Sequence, residues 1–345
     1  MVKVASVAGP VQRFIVEAYQ NIDTGGPEAL VQLALALDSL CPNSTYLTVR
    51  PTNPRLQREY PAIASMPKLA YNFLRRGDLY VTPEHIACDR QLGAKGVRQV
   101  VYMLSAKARR RNYQSIRAGC RLISHNYWGA QHTAAGLDLT PEWVVRPYIS
   151  PSIRSRCLAR TAAAEGEAAF AQRRDLVLID HDVPSEVEAA ARAACDAHGY
   201  ECVRVGSTTG AVDSDATRRS REEVLRLLEA AKVVIDWCLV GAERLAIEAM
   251  LCGAVLLTSA CKAGLEPRDF PLPRRNVLDA PANLTAAIPR VVRGFAREQQ
   301  RGGATRVAKL YGALDAASMR KEASTFLGAA GLSCASRGSA AEKNT

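Results

Sequence analysis

The sequence predicts an α/β protein with two mostly parallel sheets, one in each half of the chain. Three observations carry that expectation. Short apolar runs alternate with segments of helical periodicity along almost the whole length. A chain of 345 residues exceeds what one core comfortably supports and points to about two domains. The segment Trp143–Pro151, with prolines at 147 and 151, reads as the crossing between the halves.

In order, Val2–Ala8 is a strand candidate that stops at the turn signal Gly9-Pro10. Asn21–Glu28 (NIDTGGPE) leads directly into Ala29–Leu37 (ALVQLALAL), strong helix formers at helical spacing. Pro27 suits the first helical turn, where no amide proton is needed, and Glu28 favours the positive helix end. Strands are expected at Ser44–Val49, Asp78–Val81, Val97–Leu104 and Arg121–Ser124, with a helix end at Leu69–Leu74. In the second half the strands are Leu176–Asp182, Glu201–Val205, Val233–Trp237 and Ala254–Thr258. The helices between them are Ser185–His198, Arg219–Ala231 and Glu243–Leu251. The expected division is 1–146, 147–300, a set of C-terminal helices at 301–333 packing back on the first domain, and a frayed tail at 334–345.

Composition narrows the class without naming an activity. Hydrophobic residues are 48% and charged residues 23%, which is globular rather than disordered. No apolar stretch approaches the roughly 20 residues of a membrane-spanning helix, and the N-terminus lacks a signal peptide's apolar middle. The ten cysteines form no Cys-x-x-Cys pair and lie near no His at zinc-finger spacing. They read as reduced, buried small hydrophobes of a cytoplasmic protein. The net charge is +11, and it is unevenly placed: residues 1–146 hold 18 basic and 10 acidic side chains, the remainder 27 and 24. Aromatics are only 6% and none interleave with the basic run Lys107–Arg111, so nucleic acid is not the expected partner.

The sharpest chemistry lies in Gly241–Ser259 (GAERLAIEAMLCGAVLLTS). A strand delivers the chain to a glycine loop, and the next helix opens with free amides and a positive end facing the strand ends, a natural diphosphate site. Glu243 and Glu248 are about 500° apart around the helix, so they do not share a face. One can meet a ligand from the loop and the other from a flank, accepting hydrogen bonds from paired sugar hydroxyls. In the bland alternative Glu243 only stabilises the helix N-terminus and Glu248 is solvated.

This segment resembles the nucleotide-binding part of GT-B glycosyltransferases, with its G-x-E-R-x-x-x-E-A-x-x-x-G helix followed by an apolar strand. NIDTGGPEALVQLALAL resembles the Gly-Gly-Pro-Glu loop and helix of bacterial polysaccharide-type transferases, and GDLYVTPEH, VVYMLS and FPLPRRNVLD follow in the family's order. The resemblance implies two Rossmann-like domains facing a cleft, with a nucleotide-sugar donor held by the second domain and an acceptor by the first. Carried over, Glu248 binds the donor ribose, while Gly241, Glu243 and Arg244 occupy the loop-to-helix start facing the donor sugar or the diphosphate. Gly25 and Gly26 let backbone approach the phosphates, and Lys262, past the Thr258-Ser259 strand end, is a counter-charge. One departure stands out: where retaining families often carry a first glutamate, this chain has Val240, which leaves retention or inversion open.

Transfer needs a stabilised leaving group and, if it inverts, a base for the acceptor hydroxyl. Candidate bases are Asp23 beside the Gly-Gly loop and Glu84 or His85 at a strand end. Asp213-Ser214-Asp215 spells a metal motif but has no preceding apolar strand, so it reads as a solvated loop. His125, His132 and His181 read as loop or interface residues. The expectation is a transferase needing no cofactor and no metal, acting on a glycan, lipid-linked or protein-linked acceptor, with possible contact to an anionic membrane surface through the basic half. The alternatives are an inactive GT-B-like binder of glycan or nucleotide, and a basic membrane- or nucleic-acid-binding protein.

Overall fold

The computed structural model describes residues 9–17, 25–48, 54–86, 88–104, 120–131, 143–163, 173–205, 220–239, 243–300 and 303–334. The expected strand at Val2–Ala8, Asp23, Val240, Gly241, His132, the basic run Lys107–Arg111, the Asp213–Asp215 motif and residues 335–345 lie outside them.

The first sheet has seven parallel strands in the order β4-β3-β2-β5-β6-β7-β8. They are β2 (Phe14–Val16), β3 (Thr45–Thr48), β4 (Lys68–Leu69), β5 (Leu79–Pro83), β6 (Arg98–Met103), β7 (Arg121–Ser124) and β8 (Trp143–Val144). Helix α1 (Gly25–Leu40) follows β2 and is apolar on nearly every side. It is buried because the sheet covers one flank and α9 (Ala316–Ala329) another. The second sheet has five parallel strands in the order β10-β9-β11-β12-β13. These are β9 (Arg174–Ile179), β10 (Glu201–Arg204), β11 (Ala231–Ile235), β12 (Val255–Ser259) and β13 (Val277–Leu278). In both sheets the order reverses once, between β2 and β5 and between β9 and β11, and ligands of such sheets meet the carboxyl ends of the strands at that point.

Helix α2 (Pro151–Ala163) joins the two sheets, and α3 (Ser185–Asp196) buries Val187, Ala191, Ala194 and Cys195, spaced along one helical face. A capping box of Ser220 and Glu223 starts α4 (Arg221–Ala230). Helix α5 (Arg244–Leu251) is followed by Gly253 at φ +88°, a conformation that favours glycine and turns the chain sharply into β12. Helices α6 (Leu284–Arg293), α7 (Phe295–Gln300) and α8 (Gly303–Gly312) precede α9, and α8 packs on α5. Beyond α9, β14 (Leu332–Cys334) pairs in parallel with β1 (Gly9–Val11).

Three expectations are corrected. Gly9-Pro10 is not a turn but part of β1, because β14 supplies a partner nearly the whole chain length away. Leu69–Leu74 is not a helix end: Lys68–Leu69 is an edge strand and Tyr71–Phe73 one 3₁₀ turn. Most of the cysteines are not free: eight of the ten are paired as Cys41–Cys334, Cys88–Cys120, Cys157–Cys252 and Cys238–Cys261, with Cα separations of 5.5, 6.4, 4.4 and 5.4 Å, and Cys195 and Cys202 remain thiols. Those pairs are 293, 32, 95 and 23 residues apart in sequence, so spacing could not reveal them, and the argument for a reducing compartment falls with them. No helix among the described residues is long and apolar enough to cross a membrane.

Candidate functional site

The amino ends of α1 and α5, one from each half of the chain, meet at a cleft of about 230 Å³. Gly26, Glu28 and Gln32 line it from α1, Leu104 and His125 from the strand ends after β6 and β7, and Glu243, Arg244 and Ile247 from α5. Pro147–Ile149 closes a side. Two helix N-termini aimed at one cavity concentrate amide donors and positive potential there.

Beside the cleft runs a chain of charges, Arg55–Glu28–Arg244–Glu248–Arg221. Glu28 is 1% exposed; it pairs with Arg55 at 2.8 Å and with Arg244 across 216 residues, and accepts the Tyr60 hydroxyl at 2.8 Å. Arg244 Nε donates to Glu248 Oε1 at 2.8 Å, one helical turn along α5, and Arg221 reaches the same oxygen from α4. Burial pushes the Glu28 carboxyl up, but the Arg244 and Arg55 charges outweigh it and hold it at about 2. Burial lowers Arg244 while Glu28 and Glu248 raise it, and the net direction is up, so it stays charged. Three guanidiniums against two carboxylates leave the chain with one net positive charge. Glu248 is fully buried, yet its Oε2 has no hydrogen-bond partner, and neither has Arg244 Nη2. The solvated Glu248 of the bland reading is therefore corrected.

Of the residues expected at a donor site, Gly26, Glu243 and Arg244 line the cleft and Gly25 begins the helix beside it. A Cβ placed on Gly26 would lie 3.6 Å from Leu104 Cδ1, ordinary contact, so packing against that neighbour does not require glycine there. Glu243 is the N-cap residue of α5 but its side chain makes no capping bond. Thr258, at the end of β12, is buried with Oγ1 unpartnered. Lys262 follows at φ +49° in the 3₁₀ turn Lys262–Leu265. Gly264 presses that turn against the strand end, since a Cβ there would lie 2.8 Å from the Ser259 carbonyl oxygen. Cys238, paired to Cys261, is at φ +63°, so two left-handed non-glycine residues flank the end of this sheet. Of the base candidates, Glu84 and His85 do not line the cleft, although Glu84 Oε2 accepts the amide of the lining residue Leu104 at 2.9 Å; His85 is exposed, and Asp23 lies outside the described residues.

Sequence reasoning missed several cleft residues. His125 follows β7, is buried, and places Nδ1 2.6 Å from the Met103 carbonyl oxygen, which assigns the proton to Nδ1. Burial lowers it to about 4 despite the carbonyl, so it is neutral at pH 7. Gln32 Nε2 donates to Tyr60 Oη and the Tyr148 carbonyl, both at 2.7 Å, fixing the linker wall. Asp269 accepts the Tyr127 and Trp128 amides at 2.9 and 2.8 Å, tying the second half to the helical turn at 127–131 of the first. A polar residue just after an apolar strand was the available signal for His125. Away from the cleft, Asp180, Asp182 and Asp236, at the carboxyl ends of β9 and β11, bring carboxylate oxygens within 4.8 Å of one another. Asp180 Oδ1 also receives the His181 amide at 2.8 Å.

No protein-family model and no curated protein matches the sequence. Solved structures do. Sucrose-phosphate synthase of Thermosynechococcus elongatus has a TM-score of 0.60 at 14% identity, covering 92% of this chain and 98% of its own. HepE of Anabaena, solved in complex with UDP-glucose, has a TM-score of 0.58 at 12% identity, covering 92% and 99%. The α,α-trehalose-phosphate synthase (UDP-forming) of Burkholderia vietnamiensis has a TM-score of 0.58 at 11%, also covering 92% and 99%. At such identities the likeness establishes the fold: this chain is α/β of the GT-B type, two Rossmann-like domains facing a cleft.

Proposed function

We propose that this protein is a glycosyltransferase that moves a sugar from a nucleoside-diphosphate donor to a glycan, lipid-linked or protein-linked acceptor. The observation that carries the reading is Glu248, a fully buried carboxylate held by two arginines with one oxygen left unpartnered. Leaving a buried acceptor unsatisfied costs on the order of 1–3 kcal/mol, and a ribose hydroxyl supplies the missing donor. The diphosphate is then assigned to the space between the amino ends of α1 and α5, against the backbone of Gly25, Gly26 and Glu243 and with Arg244 as positive charge, while Gly241, outside the described residues, and Lys262, which does not line the cleft, keep the donor roles that the resemblance implies. Negative charge grows on the departing diphosphate as the glycosidic bond breaks, and these dipoles and cations are oriented before it does so. The reaction so drawn uses no metal: the two helix ends and the Arg244 guanidinium at the cleft offset the charge of the departing diphosphate. HepE, whose structure holds UDP-glucose, and the two synthases share the fold and lend the reading support.

His125, held near 4, is too weak a base for work at pH 7. Asp23, Glu84 and His85 remain the candidate bases, and the acceptor enters from the first domain. The basic half of the chain suits an acceptor on or near an anionic membrane. Titrating nucleoside diphosphates by calorimetry into wild type and Glu248→Gln tests the donor site. The variant should bind about 10–100-fold more weakly while melting as a folded protein. Equal affinity would sink the assignment.

A further inference from the structure

We propose that residues 68–76, at the β4 edge of the first sheet, form a docking surface for an anionic lipid bilayer. This extends the reading above by naming where the protein meets a membrane, and its test needs no donor or transfer. Among the described residues three large apolar side chains are exposed, Tyr71 at 46%, Phe73 at 63% and Leu265 at 55%, and two of these fall on a single 3₁₀ turn. Around them Lys68, Arg75 and Arg76 are exposed, and no acidic residue occurs from Tyr60 to Gly77. The neighbouring helix Arg90–Ala94 and its end add exposed Arg90 and Lys95. Arg76 lies over Gly96, where an added Cβ would come within 2.9 Å of its Cγ, so this second group of cations adjoins the first.

Of the nearby carboxylates Asp78 is matched by its own arginine, and Asp89 stays ionised and offsets a single charge of the group. Asp78 is buried and paired with Arg13 at 2.6 Å, and Asp89 accepts the Tyr71 hydroxyl and the Gln91 amide at 2.7 Å. The turn is also held in place. Arg13 Nη2 donates to the Phe73 carbonyl at 2.9 Å, and the Tyr71 ring meets Tyr80 edge-on at 5.8 Å, while Leu74 is buried beneath. The turn thus holds two exposed aromatics beside a group of lysines and arginines. Aromatic rings favour the interface between headgroups and acyl chains, and cations favour anionic headgroups, so the two features call for the same occupant. A short turn beside an edge strand offers no groove to track a nucleic-acid backbone, which argues for lipid over single strands.

The test is co-sedimentation of the full chain with vesicles of phosphatidylglycerol mixed with phosphatidylcholine, against phosphatidylcholine alone. Wild type should pellet with the anionic vesicles only, and raised salt should release it. Phe73→Ser, and separately Arg75→Gln with Arg76→Gln, should each lower partitioning by about tenfold or more, while Phe73→Trp restores it. All three alter exposed side chains, and unchanged melting curves check the fold. Equal partitioning of wild type and variants, no binding to anionic vesicles, or binding to an oligonucleotide that Phe73→Ser abolishes would each overturn the proposal.

Discussion

Glu28→Gln is the most exacting probe of the charge chain that joins the two domains. The Glu28 carboxyl falls from an ordinary 4.5 to about 2 in the folded protein, despite its burial, which works the other way. That depression corresponds to roughly 3 kcal/mol of preference for the ionised form. Glutamine keeps the shape and can still accept from Tyr60 and one arginine, but leaves Arg244 with a single carboxylate, Glu248. Breaking a buried pair from one side typically costs about 3–5 kcal/mol, so the variant should be less stable by about 3 kcal/mol at pH 7. The sign follows from the depressed value: the stabilisation is present above the unfolded-state value near 4.5 and disappears as pH falls through about 2. Urea unfolding of both proteins, followed by tryptophan fluorescence from pH 7 down to 2, should therefore show a gap that is constant down to about 5 and then narrows. A gap that stays the same at every pH, or no gap at neutral pH, would refute the claim that Glu28 is an ionised partner of Arg244.

Three further outcomes follow from the same structure. His125 is held down to about 4 by burial, so in wild type stability should fall as pH drops from 6.5 to 4, where the unfolded chain takes up a proton that the folded one refuses. His125→Gln should flatten that part of the profile by up to about 3 kcal/mol, and an unchanged slope would show that other groups cause it. Cys157–Cys252 ties α2 to the end of α5 across 95 residues, so Cys157→Ala should destabilise by about 2–5 kcal/mol in oxidising buffer and much less under reductant. Equal melting temperatures in the two buffers for wild type would remove this and the other pairings as stabilising links. Asp269→Ala leaves the Tyr127 and Trp128 amides without their acceptor, and hydrogen exchange at those two amides should quicken by tenfold or more, with little change in the β9–β12 core.

Much of the architecture was legible because it is local. The apolar runs at Arg121–Ser124 and Leu176–Ile179 fall where periodicity puts them, and so does the helix with Pro27 in its first turn, though it begins already at Gly25. The failures were non-local. Gly9-Pro10 carries a turn signature that pairing with Leu332–Cys334 overrides, and Leu69–Leu74 has the composition of a helix yet forms an edge strand and turn against β3. The cysteine pairs were invisible for the same reason.

At the site, the legible part was α5 itself: Arg244 and Glu248 stand four residues apart, the spacing that brings a cation and a carboxylate together on one helical face. Illegible was why Glu248 is buried and Arg244 largely so. Glu28 was read as a helix-dipole residue, which needs only solvent and a helix end, whereas the fold brings it against a guanidinium from the other domain. A salt bridge of this kind is weak evidence of stability in itself, since desolvation of both partners offsets most of their attraction. Its consequence is positional. Glu28 on the first domain, itself paired with Arg55, and Glu248 on the second, itself paired with Arg221, hold the Arg244 guanidinium between them, so the amino ends of α1 and α5 face one another across the cleft. Any anion seated there meets both helix ends at once, which neither domain could offer alone.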